Sequence, residues 1–208
     1  MTAQEFARSA ALADMCRLLA ACYYEPAQEF SEERLFDSLI DAAGHIDADL
    51  AARARELKSS FEALTPQELL VDYAHLFLGP VGTLAVPYES AWLAKEGNAV
   101  TDTMQALDEL YADGGFEVDP EFRDLPDHLA VELEFLYTLL FRRAAALRDG
   151  DDAALKELDA LRERLISGHL DRWLPEFQTA VLEGAQCRFY RELADLTALF
   201  VNVARSAG

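Results

Sequence analysis

The stretch DHLAVELEFLYTLLFRRAAALRDG (127–150) predicts the fold class, because it reads as one long amphipathic helix. Its apolar residues recur at steps of three and four, which places them on one face of a helix with about 3.6 residues per turn: Leu129, Leu133, Leu136, Leu140, Ala144 and Leu147. Gly150 follows as a helix stop. A helix of this length can organise a core of other helices around its apolar face.

The same spacing recurs before and after this segment. We predict further helices over 4–24, 31–43, 48–63, 65–78, 98–111, 152–167, 169–183 and 186–204, and a helix that starts at Tyr88 or Glu89. For the helix over 31–43, Ser31 is the predicted cap and Gly44 the predicted stop. No stretch alternates apolar and polar residues as a half-buried strand would. The sequence therefore predicts an all-α protein, a helical bundle of about nine to ten helices.

Local signals place some boundaries and suggest a division of the chain. In TPQE (65–68), Thr65 can cap a helix, Pro66 fits its first position and Glu68 can complete a capping box. The stretch ADGGFEVDPEFRDLPD (112–127) contains adjacent glycines, two prolines and many acids, which is typical of a hinge. We therefore expect an N-terminal helical lobe over 1–111, an acidic hinge over 112–127 and a C-terminal helical lobe over 128–208.

Composition and missing motifs exclude several functions. Acidic residues outnumber basic ones 38 to 18, and the net charge of -20 argues against a nucleic-acid partner. No apolar run is long enough for a membrane span, and Glu5 and Asp14 interrupt any signal peptide, so we expect a cytoplasmic protein without membrane insertion. Scattered histidines and three unpatterned cysteines predict no metal site, and the absence of phosphate-loop, dinucleotide and hydrolase motifs predicts no cofactor and no enzyme activity.

Pro126, Asp127 and His128 precede the long helix and are only partly explained by helix capping. Asp124 could cap the helix, Pro126 is tolerated in a first turn, and a carboxylate at Asp127 would face the positive end of the helix dipole. A protonated His128 would be disfavoured by the same dipole. We therefore consider a functional site here alongside the structural explanation.

Several stretches, taken together, resemble the TorD/DmsD family of cytoplasmic chaperones for molybdenum-containing redox enzymes. They are YAHLFLGP (73–80), PYESAW (87–92), LPDHLAVELEFLYTLL (125–140), HLDRWLPEF (169–177) and FYRELADLTALF (189–200). The resemblance covers the chain from the fourth predicted helix to the end. Leu125 stands where the family's hinge motif has glutamate, whereas Pro126, Asp127 and His128 match it. This departure leaves open any role of the first acid and the choice of client.

The resemblance implies a chaperone that binds the twin-arginine signal peptide, or the apo form, of a molybdopterin oxidoreductase catalytic subunit. It would assist cofactor insertion and delay export, with cofactor-biosynthesis proteins as further partners. We expect a monomer, with a dimer formed by exchange of lobes as the alternative. Other interpretations stay open: a nitrate-reductase-type assembly chaperone for a subunit that is not exported, a nucleotide hydrolase acting during cofactor insertion, or a structural helical adaptor.

The resemblance also implies a peptide-binding trough with an acidic edge. Its lining would comprise Tyr73, Leu76, Phe77, Pro87, Tyr88 and Trp92, with Pro126, Asp127 and His128 at the edge and with negative charge from Glu89, Glu132 and Glu134. Apolar contact would supply the affinity, because an exposed arginine–carboxylate pair contributes only about 0–1 kcal/mol. For Tyr73, Leu76 and Phe77, plain core packing is the alternative, and we expect Trp92 to be partly exposed.

Overall fold

The computed structural model describes residues 3–26, 34–79, 84–94, 100–118 and 125–206. The described chain is all-α, as predicted. Its helices are α1 (Ala3–Ala21), α2 (Leu35–Ile46), α3 (Ala48–Glu62), α4 (Pro66–Phe77), α5 (Glu89–Leu93), α6 (Val100–Asp113), α7 (Leu129–Asp149), α8 (Asp152–Leu165), α9 (Asp171–Gly184) and α10 (Arg188–Arg205). A π-helical turn, Ile166–Leu170, joins α8 to α9 without a break. None of the described helices is both long and apolar enough to cross a membrane.

The predicted capping signals hold at two helix ends and fail at a third. Thr65 accepts from the Glu68 amide while the Glu68 side chain accepts from the Thr65 amide, which confirms the capping box of α4. Gly150 ends α7 in the left-handed region, with φ of 70°. Gly44 was expected to end α2, but the helix continues to Ile46. The predicted cap of α2 at Ser31 lies outside the described residues.

α7 lies at the centre of the core. Its stripe residues Leu129, Leu133, Leu136 and Leu140 are fully buried, and its principal neighbours are α1 and α8. Two buried polar contacts tie α1 and the turn after it to later helices: the Cys16 thiol donates to the Leu133 carbonyl at 3.0 Å, and the Tyr23 hydroxyl donates to Thr197 Oγ1 at 3.0 Å. Segments before and after residue 120 therefore share one core.

The predicted division into two lobes stays a prediction. One continuous cluster of buried side chains draws on α1 to α4 from the first predicted lobe and on α7 to α10 from the second. The predicted hinge begins inside helix, because α6 runs to Asp113, and the segment 119–124 lies outside the described residues. Arg142 of α7 donates to the Gly114 carbonyl, which attaches the end of α6 to the central helix.

Candidate functional site

Backbone hydrogen bonds join the segment 125–129 to the segment 87–89. The Leu129 amide donates to the Pro87 carbonyl at 2.8 Å, and the Glu89 amide donates to the Asp127 carbonyl at 3.1 Å. Tyr88 and His128 form an isolated antiparallel bridge between the two segments. The two stretches that carried much of the family resemblance, PYESAW and LPDHL, are thus one structural unit, which we call the clasp (residues 87–90 and 125–129).

His128 is the N-cap residue of α7 and is not a charged group within its first turn. Its Nδ1 accepts a hydrogen bond from the Ala130 amide at 3.1 Å, so Nδ1 carries no proton. The ring is 2% exposed and lies between two tyrosines, parallel to Tyr24 at 5.9 Å and edge-on to Tyr88 at 5.2 Å. An imidazole that accepts from the helix N-terminus satisfies an orphan amide, which removes the conflict with the helix dipole.

We expected the Asp127 carboxylate to face the N-terminus of α7 and to lie at an exposed edge. The structure shows neither arrangement. The side chain is fully buried, and its Oδ2 accepts from the Ser90 amide at 2.9 Å, which caps α5 instead. Its Oδ1 has no hydrogen-bond partner among the described residues. An arginine from a client therefore cannot reach this carboxylate in the present conformation. The nearby Pro126 is half-buried, and its carbonyl accepts from the Tyr111 hydroxyl at 2.9 Å.

Glu89, within the clasp, and Glu132, in the first turn of α7, are fully buried, so neither provides the surface charge that the sequence suggested. The imidazole of His169 lies against Glu89, with its Nδ1 at 2.8 Å from Oε2 and 3.1 Å from Oε1. His169 belongs to the π-helical turn, whose widened backbone places the ring in the interior. Glu134, two residues after Glu132, is half-buried and accepts from the Tyr24 hydroxyl at 2.8 Å.

The environment of Glu132 favours its protonated form. Burial raises the pKa of Glu132 well above its ordinary value, and the negative charges of Glu89 and Asp127 raise it further. The Trp173 indole N–H acts in the opposite direction and lowers the pKa of Glu132, but it is the smallest of these influences, and no contact among the described residues gives the Glu132 oxygens or this nitrogen a hydrogen bond of regular geometry. Burial also raises the pKa of Tyr111 well above its usual range. Because burying an unpaired charge is unfavourable, the protonated form of Glu132 has the lower free energy in the folded protein.

Tyr73, Leu76 and Phe77 of α4 are buried by this chain's own side chains. The Tyr73 hydroxyl donates to the Tyr23 carbonyl at 3.3 Å, and the Phe77 ring stacks on Phe177 at 6.2 Å between ring centres. Leu76 is fully buried. The core-packing alternative therefore describes their position in this structure. Their role as peptide contacts stays a prediction that requires the helices to separate.

Trp92 is more buried than expected, at 6% exposed, yet it lines an open groove beside α9. Its indole nitrogen donates to the Val86 carbonyl at 2.8 Å, and its ring meets Phe177 edge-on at 6.4 Å. Both contacts fix the ring. Of the other predicted lining residues, Pro87 is buried and Tyr88 is half-buried.

The groove beside α9 has a volume of about 410 Å³ and was not predicted from the sequence. We call it the α9 groove, and its lining is Trp92, Pro175, Glu176, Thr179, Ala180 and Glu183. Glu176 and Glu183 are exposed. The helical spacing of α9 and the stretch HLDRWLPEF pointed to a helix here, but no pattern placed that helix next to Trp92. The structure therefore provides an apolar floor with carboxylates, at a place different from the predicted one.

His169 is the other residue that sequence reasoning missed. It was one of the scattered histidines for which the sequence predicts no metal site, and its partner Glu89 lies 80 positions away in the chain. Only the π-helical turn brings the two together. Among the described residues, no group of three or more histidine, cysteine, aspartate or glutamate side chains is arranged to hold a metal ion.

Comparisons with known proteins identify the family. A family model described as nitrate reductase delta subunit matches residues 43–179. Chaperone protein TorD of Escherichia coli is 32% identical over 158 residues, which is 74% of this chain and 72% of that protein. Chaperone protein TorD of Vibrio parahaemolyticus is 30% identical over 138 residues, which is 65% of this chain and 62% of that protein, so the match spans less than two thirds of this relative.

A solved structure agrees with the fold. A protein of Archaeoglobus fulgidus, assigned as a redox enzyme maturation protein, superposes with a TM-score of 0.50 at 21% identity and covers 93% of this chain and 91% of that one. At this identity the likeness concerns the fold alone, and it is consistent with the all-α architecture. The family model and the E. coli relative go further, since each spans most of the chain. The chain therefore belongs to the nitrate reductase delta subunit family and is similar within it to the TorD chaperones.

Proposed function

We propose that this chain is a cytoplasmic maturation chaperone for the catalytic subunit of a molybdopterin-dependent oxidoreductase. It binds the twin-arginine signal peptide, or the apo form of the subunit, assists cofactor insertion and delays export until the cofactor is in place. The relatives that support this proposal are named chaperones, not catalysts, so we propose neither a catalytic activity nor a resident cofactor for this chain.

One observation carries the proposal: the two stretches that resemble the family most clearly meet in the clasp. Backbone hydrogen bonds join Pro87 to Leu129 and Glu89 to Asp127, although about 40 residues separate the stretches in sequence. A fold that is held together at this position by main-chain contacts keeps the neighbouring groove in a defined shape. A preformed groove binds at lower ordering cost than one that must be created by the ligand.

The electrostatics of the chain suit a cationic client segment. A net charge of -20 attracts positively charged peptides over a distance of about one Debye length, which accelerates their capture. Burial of a few hundred Å² of apolar leader side chains supplies several kcal/mol before ordering costs, at about 25 cal/mol per Å². Charge therefore accelerates capture of the peptide and favours cationic peptides over others, and apolar contact provides most of the binding free energy.

A second candidate function is assembly of a nitrate-reductase-type subunit that is not exported. The description of the matching family model, nitrate reductase delta subunit, favours this candidate. The client would then be recognised through a segment without adjacent arginines. For either client we propose a monomer that also contacts proteins of cofactor biosynthesis.

Titration calorimetry with synthetic peptides tests the proposal and separates the two candidates. The full chain is titrated with a peptide that has two adjacent arginines followed by an apolar stretch of leucine and alanine, and with a matched peptide in which both arginines are glutamine. We expect tighter binding of the arginine peptide and a loss of that preference as salt rises. Equal affinity for both peptides at low salt would contradict recognition of a twin-arginine leader and favour the second candidate.

A further inference from the structure

We propose that Glu176 and Glu183 of the α9 groove hold the two arginine side chains of the client's leader, and that the apolar floor between them and Trp92 receives the residues that follow. This inference rests on the proposed function and goes beyond it, because it assigns the cationic half of the leader to α9 and not to Asp127. Glu89, Asp127 and Glu132 are buried, whereas these two are exposed.

The spacing of the two carboxylates fits two arginines. Glu176 and Glu183 are seven residues apart, so they lie on the same face of α9, about 10 Å apart along the helix. Adjacent residues of an extended peptide point to opposite sides, so the long side chains of two neighbouring arginines diverge. Two separated carboxylates can each pair with one guanidinium, while a single carboxylate can serve only one bidentate contact.

Neither carboxylate is paired within the described part of the chain. Glu176 and Glu183 have no ion-pair or hydrogen-bond partner among the described residues, although many other acids there are paired with arginine or lysine. Thr179 lies between them on the same face, and its hydroxyl donates to the Pro175 carbonyl at 2.9 Å. The rim of the groove therefore offers two free anionic acceptors in a chain with an excess of negative charge.

The floor of the groove is apolar and continues along α9. Trp92, Pro175 and Ala180 belong to its lining, and Ala180 lies between the two glutamates in sequence. Leu84, which is 42% exposed, lies against Gly184, the residue after Glu183, where an added Cβ would be 3.0 Å from Leu84 Cδ1. An apolar path with acids at its rim matches a peptide that has a cationic head and an apolar continuation.

Fluorescence anisotropy with labelled synthetic peptides tests this assignment. The probes are the arginine peptide and its glutamine counterpart described above. In the variant Glu176→Gln/Glu183→Gln we expect the Kd for the arginine peptide to rise about five- to thirtyfold at low salt, from the loss of two exposed ion pairs, with little change for the glutamine peptide. The control Glu56→Gln/Glu157→Gln removes the same charge from exposed positions of α3 and α8 and should leave the Kd within about twofold.

A second variant checks the geometry without removing the acids. Thr179→Arg places a guanidinium three residues after Glu176 and four before Glu183, where it can pair with both. Since position 179 is exposed, the fold should be retained, and the preference for the arginine peptide should disappear. If wild type prefers the arginine peptide and both α9 variants bind it equally well, the assignment to α9 is wrong while the proposed function stands. If wild type binds neither peptide, recognition of a twin-arginine leader and this inference are both overturned.

Discussion

Replacement of Glu132 by glutamine should stabilise the protein by an amount that grows with pH. Glu132 is fully buried, and its pKa is raised well above the ordinary glutamate value by burial and by the charges of Glu89 and Asp127. In the unfolded chain a glutamate loses its proton near pH 4.3, while the folded protein retains it to a higher pH. Between these two pKa values the folded state holds one more proton than the unfolded state, so the free energy of unfolding falls as pH rises.

The size of the effect follows from the linkage relation. For each pH unit in that window, wild type should lose about 1.4 kcal/mol of stability relative to Glu132→Gln, because glutamine does not titrate. A domain of this kind has a total stability of about 5–15 kcal/mol, so the difference is large enough to measure over a single pH unit. Below about pH 4 the two proteins should differ only by a constant offset.

Urea denaturation followed by circular dichroism measures this difference. Wild type and Glu132→Gln are unfolded at intervals from about pH 4 to about pH 8, and the difference in unfolding free energy is plotted against pH. Glu132→Leu is a second neutral variant, and its curve should have the same slope with another offset, since side-chain shape affects the offset alone. Curves of wild type and Glu132→Gln that stay parallel over the whole range would refute a raised pKa at this position.

Three further substitutions test individual contacts. His128→Ala removes the N-cap of α7 and should destabilise the fold by about 1 kcal/mol, whereas His128→Asn keeps a hydrogen-bond acceptor at the cap and should recover part of that stability. Equal urea midpoints for the two variants would argue against capping by His128. His169→Leu leaves Glu89 buried without its partner and should lower the free energy of unfolding by about 3–5 kcal/mol. The double variant Glu89→Leu/His169→Leu should recover part of that loss, and a double-mutant cycle measures the coupling between the two residues. Thr65→Ala should cost about 1 kcal/mol by breaking the capping box of α4, and Thr65→Ser should not; equal melting temperatures for the two variants would contradict a role of the cap.

Local signals in the sequence predicted much of the fold because they act over a few residues. The stripe of α7, the capping box at Thr65 and the left-handed stop at Gly150 each depend on neighbours within one or two turns. Gly44 failed as a stop because a glycine inside a helix costs only about 1 kcal/mol, which packing of α2 can outweigh.

The candidate site was harder to predict because its contacts are distant in sequence. The stretch around Asp127 was correctly singled out, but a sequence does not reveal that the carboxylate turns inward to cap α5. Burial of Glu89 and Glu132 likewise contradicts the usual expectation that acids face water. The π-helical turn that carries His169 departs from the 3.6-residue period, so periodicity alone could not place that ring beside Glu89.

Co-purification from the native cytoplasm, with identification of the bound subunit by mass spectrometry, tests the central claim most directly. The tagged full chain should bring down the cofactor-free catalytic subunit of a molybdopterin oxidoreductase, and deletion of the client's arginine-bearing leader should abolish or strongly reduce its recovery. Recovery of a molybdoenzyme subunit that is unaffected by loss of its leader would contradict capture through the signal peptide. Recovery of no molybdoenzyme subunit under conditions in which the client is expressed would contradict the assignment as a maturation chaperone.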